Sequence, residues 1–460
     1  MLRLLAGTLV FAVACGAPPG PAPEGDEKAD ELSGTRTGSR LPDMNAAEPP
    51  PADWRPPSLS RWPDAYVIFN ATGCGHDCTR ADQDALAPRS VMLKMLNAAI
   101  RGVQRGGTVR IANFNISSSP ALEVLHEALR YAMKERGATV KIVMDSAQDI
   151  AQSRTNALAA DGAEVRFLVG LRYPGSAGIM HSKMVIVDDR VVFAGSNNFS
   201  SSGLITNEEN SVVLRAPRHL ARVQGFTCQF ERMFEAGVAP GQTQPADDEP
   251  RRRAAIVALD ACETDEQLFP PAGALTENRS HGFDALGRAI REAQRTIDVA
   301  PDLLAHPGIV SALARRARQA KQDGASFRVR LVLDGSKDAL ELPAFGECLD
   351  QIAARDGLAI EVRYWPGTEE IFQLLHHKFM LVDAGEPEAT LWNGSANYSA
   401  KALKWSFENL NRYRAAEFRN LVAAFETRFE KVFEAARTRD ALAAEEGLAV
   451  PACPLDLDTL

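Results

Sequence analysis

Apolar and polar positions along this 460-residue chain fall into two successive runs with the same order. In the first, Thr108 to Asn113 reads as a strand, Pro120 to Arg136 as a helix, Val140 to Asp145 as a strand, Ile150 to Ala160 as a helix and Glu164 to Val169 as a strand. The second repeats that order with Thr296 to Ala300, Gly308 to Gln322, Val329 to Asp334, Phe345 to Arg355 and Ile360 to Trp365. The strands Lys141-Ile-Val-Met-Asp145 and Arg330-Leu-Val-Leu-Asp334 match residue type for residue type, which points to an internal duplication. Alternating strands and helices predict an α/β fold, with a mixed β-sheet flanked by helices in each half. Each run then reaches a short apolar strand, Met184 to Val187 and Phe379 to Val382, with polar residues placed just before it.

Those polar residues are the candidate chemistry. His181-Ser-Lys183-Met-Val-Ile-Val-Asp188 and His376-His-Lys378-Phe-Met-Leu-Val-Asp383 lie 195 residues apart. Each leads into a turn, Gly195-Ser196-Asn197-Asn198 and Gly394-Ser395-Ala396-Asn397, and each has a carboxylate eleven residues past the last Asn, Glu209 and Glu408. On a strand, residues i and i+2 share a face, so His181 points with Lys183 and His376 with Lys378, while His377 points the other way. Asp188 is out of phase with that face; Asp188-Asp189 reads as a hairpin turn returning through Val191 to Gly195, so Asp188 and Asp383 are expected to be supporting groups.

At these residues the chain resembles the phospholipase D superfamily, whose signature is His-x-Lys-x4-Asp-x6-Gly-Ser-x-Asn. The first copy matches it position for position; the second has four extra residues between Asp383 and Gly394, a length that the Gly385 and Pro387 turn absorbs. The resemblance implies two pseudo-twofold-related domains with one active site at their interface, a phosphohistidine intermediate and no metal or other cofactor. It implies His181 as nucleophile and His376 as acid/base, with Lys183, Lys378, Asn198 and Asn397 on the nonbridging oxygens. Ser196 and Ser395 are candidate phosphate-binding groups, with a structural role in the Gly-Ser turn as the equal alternative, and Glu209 and Glu408 are expected to orient the histidine rings. Leu171 to Ser176, together with an apolar stretch of Tyr364 to Pro366 and Ile371 to Leu375, would line a substrate entrance; ordinary packing is the alternative for that stretch.

The formal charge of -9 is concentrated at the ends. Residues 16 to 57 hold eight acids against four bases, and residues 440 to 460 hold five acids and no base, which with Arg3 leaves residues 58 to 439 at only -1. A near-neutral body gives no broad field to attract a polyanion. The N-terminus reads as a signal peptide over residues 1 to 15: Arg3, then apolar Leu4 to Ala14, then Ala12-Val13-Ala14-Cys15, which resembles a bacterial lipobox and implies lipidation at Cys15. The expected plan is a Pro/Ala/acid-rich disordered tether over 16 to 57, a first domain over 58 to 236, a linker over 237 to 253 in which Arg251 to Arg253 are solvated, a second domain over 254 to 439, and an acidic tail over 440 to 460. Six further cysteines permit disulfides in an exported chain, including a local Cys74–Cys78 bridge.

The expected function is hydrolysis of glycerophospholipid phosphodiesters, with transfer to an alcohol as a further possibility. It would belong to a monomer anchored to the bacterial envelope, with phospholipid and membrane surface as partners. Metal-independent nucleic-acid cleavage is the alternative function, and secretion the alternative location.

Overall fold

The computed structural model describes residues 41–45, 50–70, 78–117, 120–243, 249–335, 345–368, 371, 373–446, 453 and 455. Strands β1 (Ala65–Phe69), β2 (Thr108–Asn113), β3 (Thr139–Asp145), β4 (Glu164–Tyr173), β5 (Ser176–Ile179), β6 (Met184–Val187), β7 (Val191–Gly195) and β8 (Asn210–Arg215) form one sheet in the order β1-β8-β7-β6-β2-β3-β4-β5. A second sheet, in the order β13-β12-β10-β14-β15-β17-β9, is built from β9 (Gln267–Leu268), β10 (Thr296–Pro301), β12 (Arg328–Asp334), β13 (Ile360–Trp365), β14 (Lys378–Val382), β15 (Thr390–Gly394) and β17 (Leu410–Arg414); β11 (Leu304–Ala305) pairs separately with β16 (Tyr398–Ser399). Both large sheets are mixed. β2 runs parallel to β3 and antiparallel to β6, and β10 runs parallel to β12 and antiparallel to β14.

The helices are α1 (Arg80–Leu86), α2 (Val91–Arg101), α3 (Pro120–Arg136), α4 (Asp149–Ala160), α5 (Leu220–Ala236), α6 (Pro250–Val257), α7 (His281–Glu292), α8 (Pro307–Gln322), α9 (Phe345–Asp356), α10 (Ala415–Ala435) and α11 (Arg439–Glu446). Local sequence starts several of them. Thr79 and Asp82 form a capping box at α1, Ser90 and Ser280 cap α2 and α7, and Pro307 occupies the first turn of α8, where its missing N–H costs nothing.

Two of these helices join the halves. Phe425 on α10 meets Phe69 of the first sheet and Phe379 of the second, each with ring centroids 5.0 Å apart. On α5, Phe226 packs on Phe269 and Arg222 donates to Arg412 O at 2.9 Å. Buried side chains of both sheets therefore belong to one continuous apolar cluster through α10, and the halves share a core.

Four expectations change here. Met44 and Trp54 are buried, and Lys94 donates to Ala52 O and Trp54 O at 2.8 and 2.7 Å, so the end of the segment read as a tether is packed on the body. Arg252, read as part of a solvated linker, is fully buried and donates to Val169 O at 2.8 Å and Gly170 O at 2.6 Å, supplying donors to carbonyls near the end of β4. The acidic tail begins as α11 with Leu442 buried, and Cys453 is bonded to Cys348 of α9. The cysteine pairing left open by sequence resolves at Cys348–Cys453 and at Cys228–Cys262, which ties α5 to the turn after α6. Cys78 is disulfide-bonded; Cys74, the leader and Cys15 lie outside the described residues. Among the described residues no helix is long and apolar enough to cross a membrane.

Candidate functional site

The two His-x-Lys segments sit where β6 and β14 begin, at the same end of each sheet, and the main chain swaps between halves to hold them. His181 N donates to Phe407 O at 2.9 Å and Phe407 N to Ile179 O at 2.8 Å; in the other half, His376 N donates to Glu208 O at 3.0 Å and Glu208 N to Leu374 O at 2.9 Å. The residue before each histidine is pinned by a matched aspartate, with Met180 N donating to Asp145 Oδ2 at 2.8 Å and Leu375 N to Asp334 Oδ2 at 2.5 Å. These carboxylates end β3 and β12. The matched strands were visible in the sequence, but their role as main-chain anchors was not.

The side chains cross in the same way. His181 Nδ1 lies 2.8 Å from Glu408 Oε1, and His376 Nδ1 lies 2.7 Å from Glu209 Oε1, so each ring is oriented by the carboxylate of the opposite repeat. Lys183 Nζ donates to His181 O at 2.6 Å and Lys378 Nζ to His376 O at 2.7 Å. All four groups are almost sealed: His181 and His376 are 6% and 5% exposed, Lys183 and Lys378 2% and 0%. His377 does turn away. Its Nδ1 is 3.1 Å from Asn210 Nδ2 and its Nε2 is 3.4 Å from Glu208 Oε2, between Phe69 and Phe379.

Burial sets the charges. It pulls His181 well below the ordinary histidine value, an effect deepened by Lys183, Lys378 and His376 and opposed by Asp302. His376 is also lowered by burial, with Glu209 and Asp302 pulling back. Lys183 falls to about 7, again through desolvation first, and Glu408 is pushed up to about 8. Both shifts reduce the charge held in this buried cluster.

The Gly-Ser-x-Asn turns have a steric basis. A Cβ at Gly195 or Gly394 would collide with Asn210 O or Asn409 O, so only glycine lets these strands close on their neighbours. Gly195 N donates to Lys183 O at 3.3 Å, which sets the first turn beside the lysine. Asn198 and Asn397 each have a buried Oδ1 with no hydrogen-bond partner among the described residues, and turning the amide over would present its N–H2 instead. Of the two readings of the serines, phosphate ligand or structural turn residue, their hydrogen bonds fit the structural one. Ser196 Oγ accepts from Asn210 N at 3.0 Å, while Ser395 Oγ accepts from Asn409 N at 2.9 Å and donates to Glu408 Oε2 at 2.6 Å, so both tie strands together and Ser395 also steadies the carboxylate that orients His181.

Asp188 and Asp383 lie at the far ends of β6 and β14. Asp188 accepts from Gln104 N and Thr108 N at 2.8 and 3.1 Å, and Asp383 from Gln294 N, Arg295 N and Thr296 N. Both adopt left-handed backbone, as does Asp189, which fits the hairpin read from sequence. Tyr364, Trp365, Ile371 and Leu375, one candidate entrance wall, are buried in the core and form no exposed acyl surface. Tyr173 of the other segment stacks on Trp405 with centroids 5.5 Å apart, and both rings are partly exposed.

Sequence reasoning missed Asp302 and Phe114. Asp302 Oδ2 is 3.3 Å from Lys378 Nζ and 3.7 Å from His376 Nε2. Phe114 stands edge-on to His181 at 5.1 Å, with Lys183 Nζ 5.6 Å from its ring centroid.

Residues 93–234 and 286–433 match the family described as "Cardiolipin synthase, PLD-like domain". The mitochondrial cardiolipin hydrolase of Homo sapiens is 28% identical over 119 residues, 25% of this chain and 39% of that protein. Its counterpart in Danio rerio is 30% identical over 123 residues, 26% of this chain and 47% of that protein. The chain therefore spans less than half the length of these curated relatives. Among solved structures, phosphatidylserine synthase of Haemophilus influenzae superposes with a TM-score of 0.55 at 12% identity, over 76% of this chain and 85% of that one. Polyphosphate kinase of Porphyromonas gingivalis gives 0.50 at 10% identity, over 79% and 48%. At such identities the likeness is one of fold.

Proposed function

We propose that this chain, which belongs to the cardiolipin synthase, PLD-like domain family, is a phosphodiesterase that hydrolyses glycerophospholipids through a phosphohistidine. The observation that carries the reading is the crossed pair of imidazole–carboxylate contacts, His181 with Glu408 and His376 with Glu209, in one buried pocket with two lysines. The diester's nonbridging oxygens sit against Lys183, Lys378 and the two asparagine amides, which offset charge developing on phosphorus. Nε2 of His181 attacks phosphorus; the bond to the leaving oxygen breaks, and that oxygen takes the proton from Nε2 of His376. Water then attacks the phosphoenzyme, gives its proton to His376 and returns the electron pair of the N–P bond to His181.

Lipid is the favoured substrate class. The cardiolipin named in the matched family and relatives supports it, as does the near-neutral body. Export and acylation at Cys15 would raise the effective concentration of the site at a membrane. The test is to incubate the mature protein, desalted into chelator, with vesicles of cardiolipin, phosphatidylglycerol or phosphatidylethanolamine, and separately with single-stranded DNA and RNA. Phosphatidate, with phosphatidylethanol when ethanol is added, is the expected product, because a phosphoenzyme can be intercepted by a competing alcohol. Rapid nucleic-acid cleavage without phosphatidate would replace the lipid reading with the nuclease one.

A further inference from the structure

We propose that Asp302 assigns the two histidines their separate roles: beside Lys378 and the outward nitrogen of His376, its carboxylate favours the protonated form of His376, whereas Phe114 at the matching position leaves His181 the neutral nucleophile. The inference rests on the phosphodiesterase reading above. That the positions match follows from strand register. Val109 of β2 pairs with Val187 as Ile297 of β10 pairs with Val382, and Ala112 faces Met184 as Ala300 faces Phe379. Two residues beyond Ala112 stands Phe114, and two beyond Ala300 stands Asp302.

The consequence for each ring is different. His376 has a carboxylate at both nitrogens, Glu209 at 2.7 Å from Nδ1 and Asp302 at 3.7 Å from Nε2. His181 has one, Glu408 at Nδ1, and an aromatic edge where the second would be. The charged groups acting on His376 are Glu209, Asp302 and Lys378; those acting on His181 are Lys183, Lys378, His376 and Asp302, besides its partner Glu408. The balance is cationic around His181 and anionic around His376, and both rings are lowered by burial, His181 further than His376. At 3.7 Å the Asp302 oxygen is too far to capture the proton on Nε2 in a hydrogen bond, so it stabilises imidazolium by its field and leaves the proton available to the leaving oxygen. Asp302 is itself fixed: it is buried, its N–H donates to His377 O at 2.6 Å, and Lys378 Nζ lies 3.3 Å from its carboxylate. It acts through His376 and is a positioning residue.

Leaving groups distinguish this from a merely structural role. An alkoxide needs the proton of His376; 4-nitrophenolate departs without one. Asp302→Asn is expected to lower turnover of phosphatidylglycerol by about 10²-fold while changing the first-turnover release of 4-nitrophenolate from bis(4-nitrophenyl) phosphate by less than about threefold. Asp302→Glu should recover most of the loss on the alkyl substrate. If the substrate panel selects nucleic acid, a single-stranded oligodeoxynucleotide replaces the lipid, since its leaving group is also an alkoxide. Acid or alkaline quench of the wild-type protein should place phosphorus on His181, a measurement independent of how any variant folds. Equal losses on the two substrates, or label on wild-type His376, would overturn the assignment while leaving the phosphodiesterase reading intact. Wild-type protein that cleaves neither substrate would overturn both.

Discussion

The first and second halves build the same main-chain frame and then furnish it differently. Both use a strand-end aspartate, a swapped main-chain bridge and an opposite-repeat glutamate to place a His-x-Lys pair. Around that frame the partners diverge. Behind Lys183, the small Ser182 accepts from Asn409 Nδ2 at 3.1 Å and Gln229 Nε2 at 3.3 Å. Behind Lys378, His377 sits against Glu208, which is also bonded by Arg428 of α10. One half is supported by neutral hydrogen bonds and the other by a partly buried ionic cluster, with Phe114 and Asp302 repeating the contrast beside the two histidines. The lesson is that geometry here is symmetric while electrostatics is not.

The largest expected effect tests whether the halves form one site. His181→Ala and His376→Ala should each reduce turnover by about 10³-fold or more, and the double variant should be little worse, because groups acting as a unit are not additive. Half activity in either single variant would mean two independent sites.

A second test concerns pH. With Lys183 brought down to about 7 by burial, its ammonium is present below that pH and lost as pH rises through it. Read on bis(4-nitrophenyl) phosphate, whose leaving group does not need the proton of His376, the ratio kcat/KM, which reports the free enzyme, should therefore fall about tenfold per unit above the transition. Lys183→Arg should flatten this alkaline limb even if its absolute rate is low, since guanidinium stays charged. His181, neutral well below the ordinary histidine range, should add no acidic limb above pH 6.5.

Stability should show the contrast between supports. Arg428→Leu leaves the partly exposed Glu208 without its cationic partner and is expected to cost about 2 kcal/mol, whereas Gln229→Leu removes neutral bonds to Ser182 and Glu408 O and should cost about 1 kcal/mol. Urea unfolding of the two variants reads the difference directly; equal losses would show that the ionic cluster adds nothing special. The smallest effect is expected at the far end of β6. Asp188→Asn keeps a residue that tolerates left-handed backbone and can still accept from Gln104 N, so it should cost less than about 1 kcal/mol and leave kcat within about twofold, measured on the same phosphodiester. A large loss of kcat would bring Asp188 into the chemistry.

Local pattern made much of this visible. Strand and helix limits from β2 to β4 and from β10 to β13 fell within a few residues of those read from periodicity, and the decision between His376 and His377 followed from strand alternation. Contacts between distant segments were hidden. Glu209 and Glu408 could be named as ring partners, but nothing in the spacing says that each serves the opposite repeat, because that depends on how two sheets pack. Asp302 escaped notice because its equivalent is Phe114; aligning the halves by residue type hides the position, and only the register of β2 and β10 recovers it. Ser196 and Ser395 were read from their motif, whereas their hydroxyls answer to the buried strand edges beside them. Arg252 was read from its charged neighbours, yet the carbonyls of Val169 and Gly170 draw it into the interior.

The exchanged bridges at Met180–Phe407 and Glu208–Leu375 have the form of an isologous dimer contact made within a single polypeptide. In a homodimer every substitution appears twice, so an aspartate gained beside one imidazole must also appear beside its mate. Covalent fusion of the two protomers lifts that restriction. It allows one copy to specialise in bond making and the other in proton delivery, a freedom that an assembly of identical chains does not have.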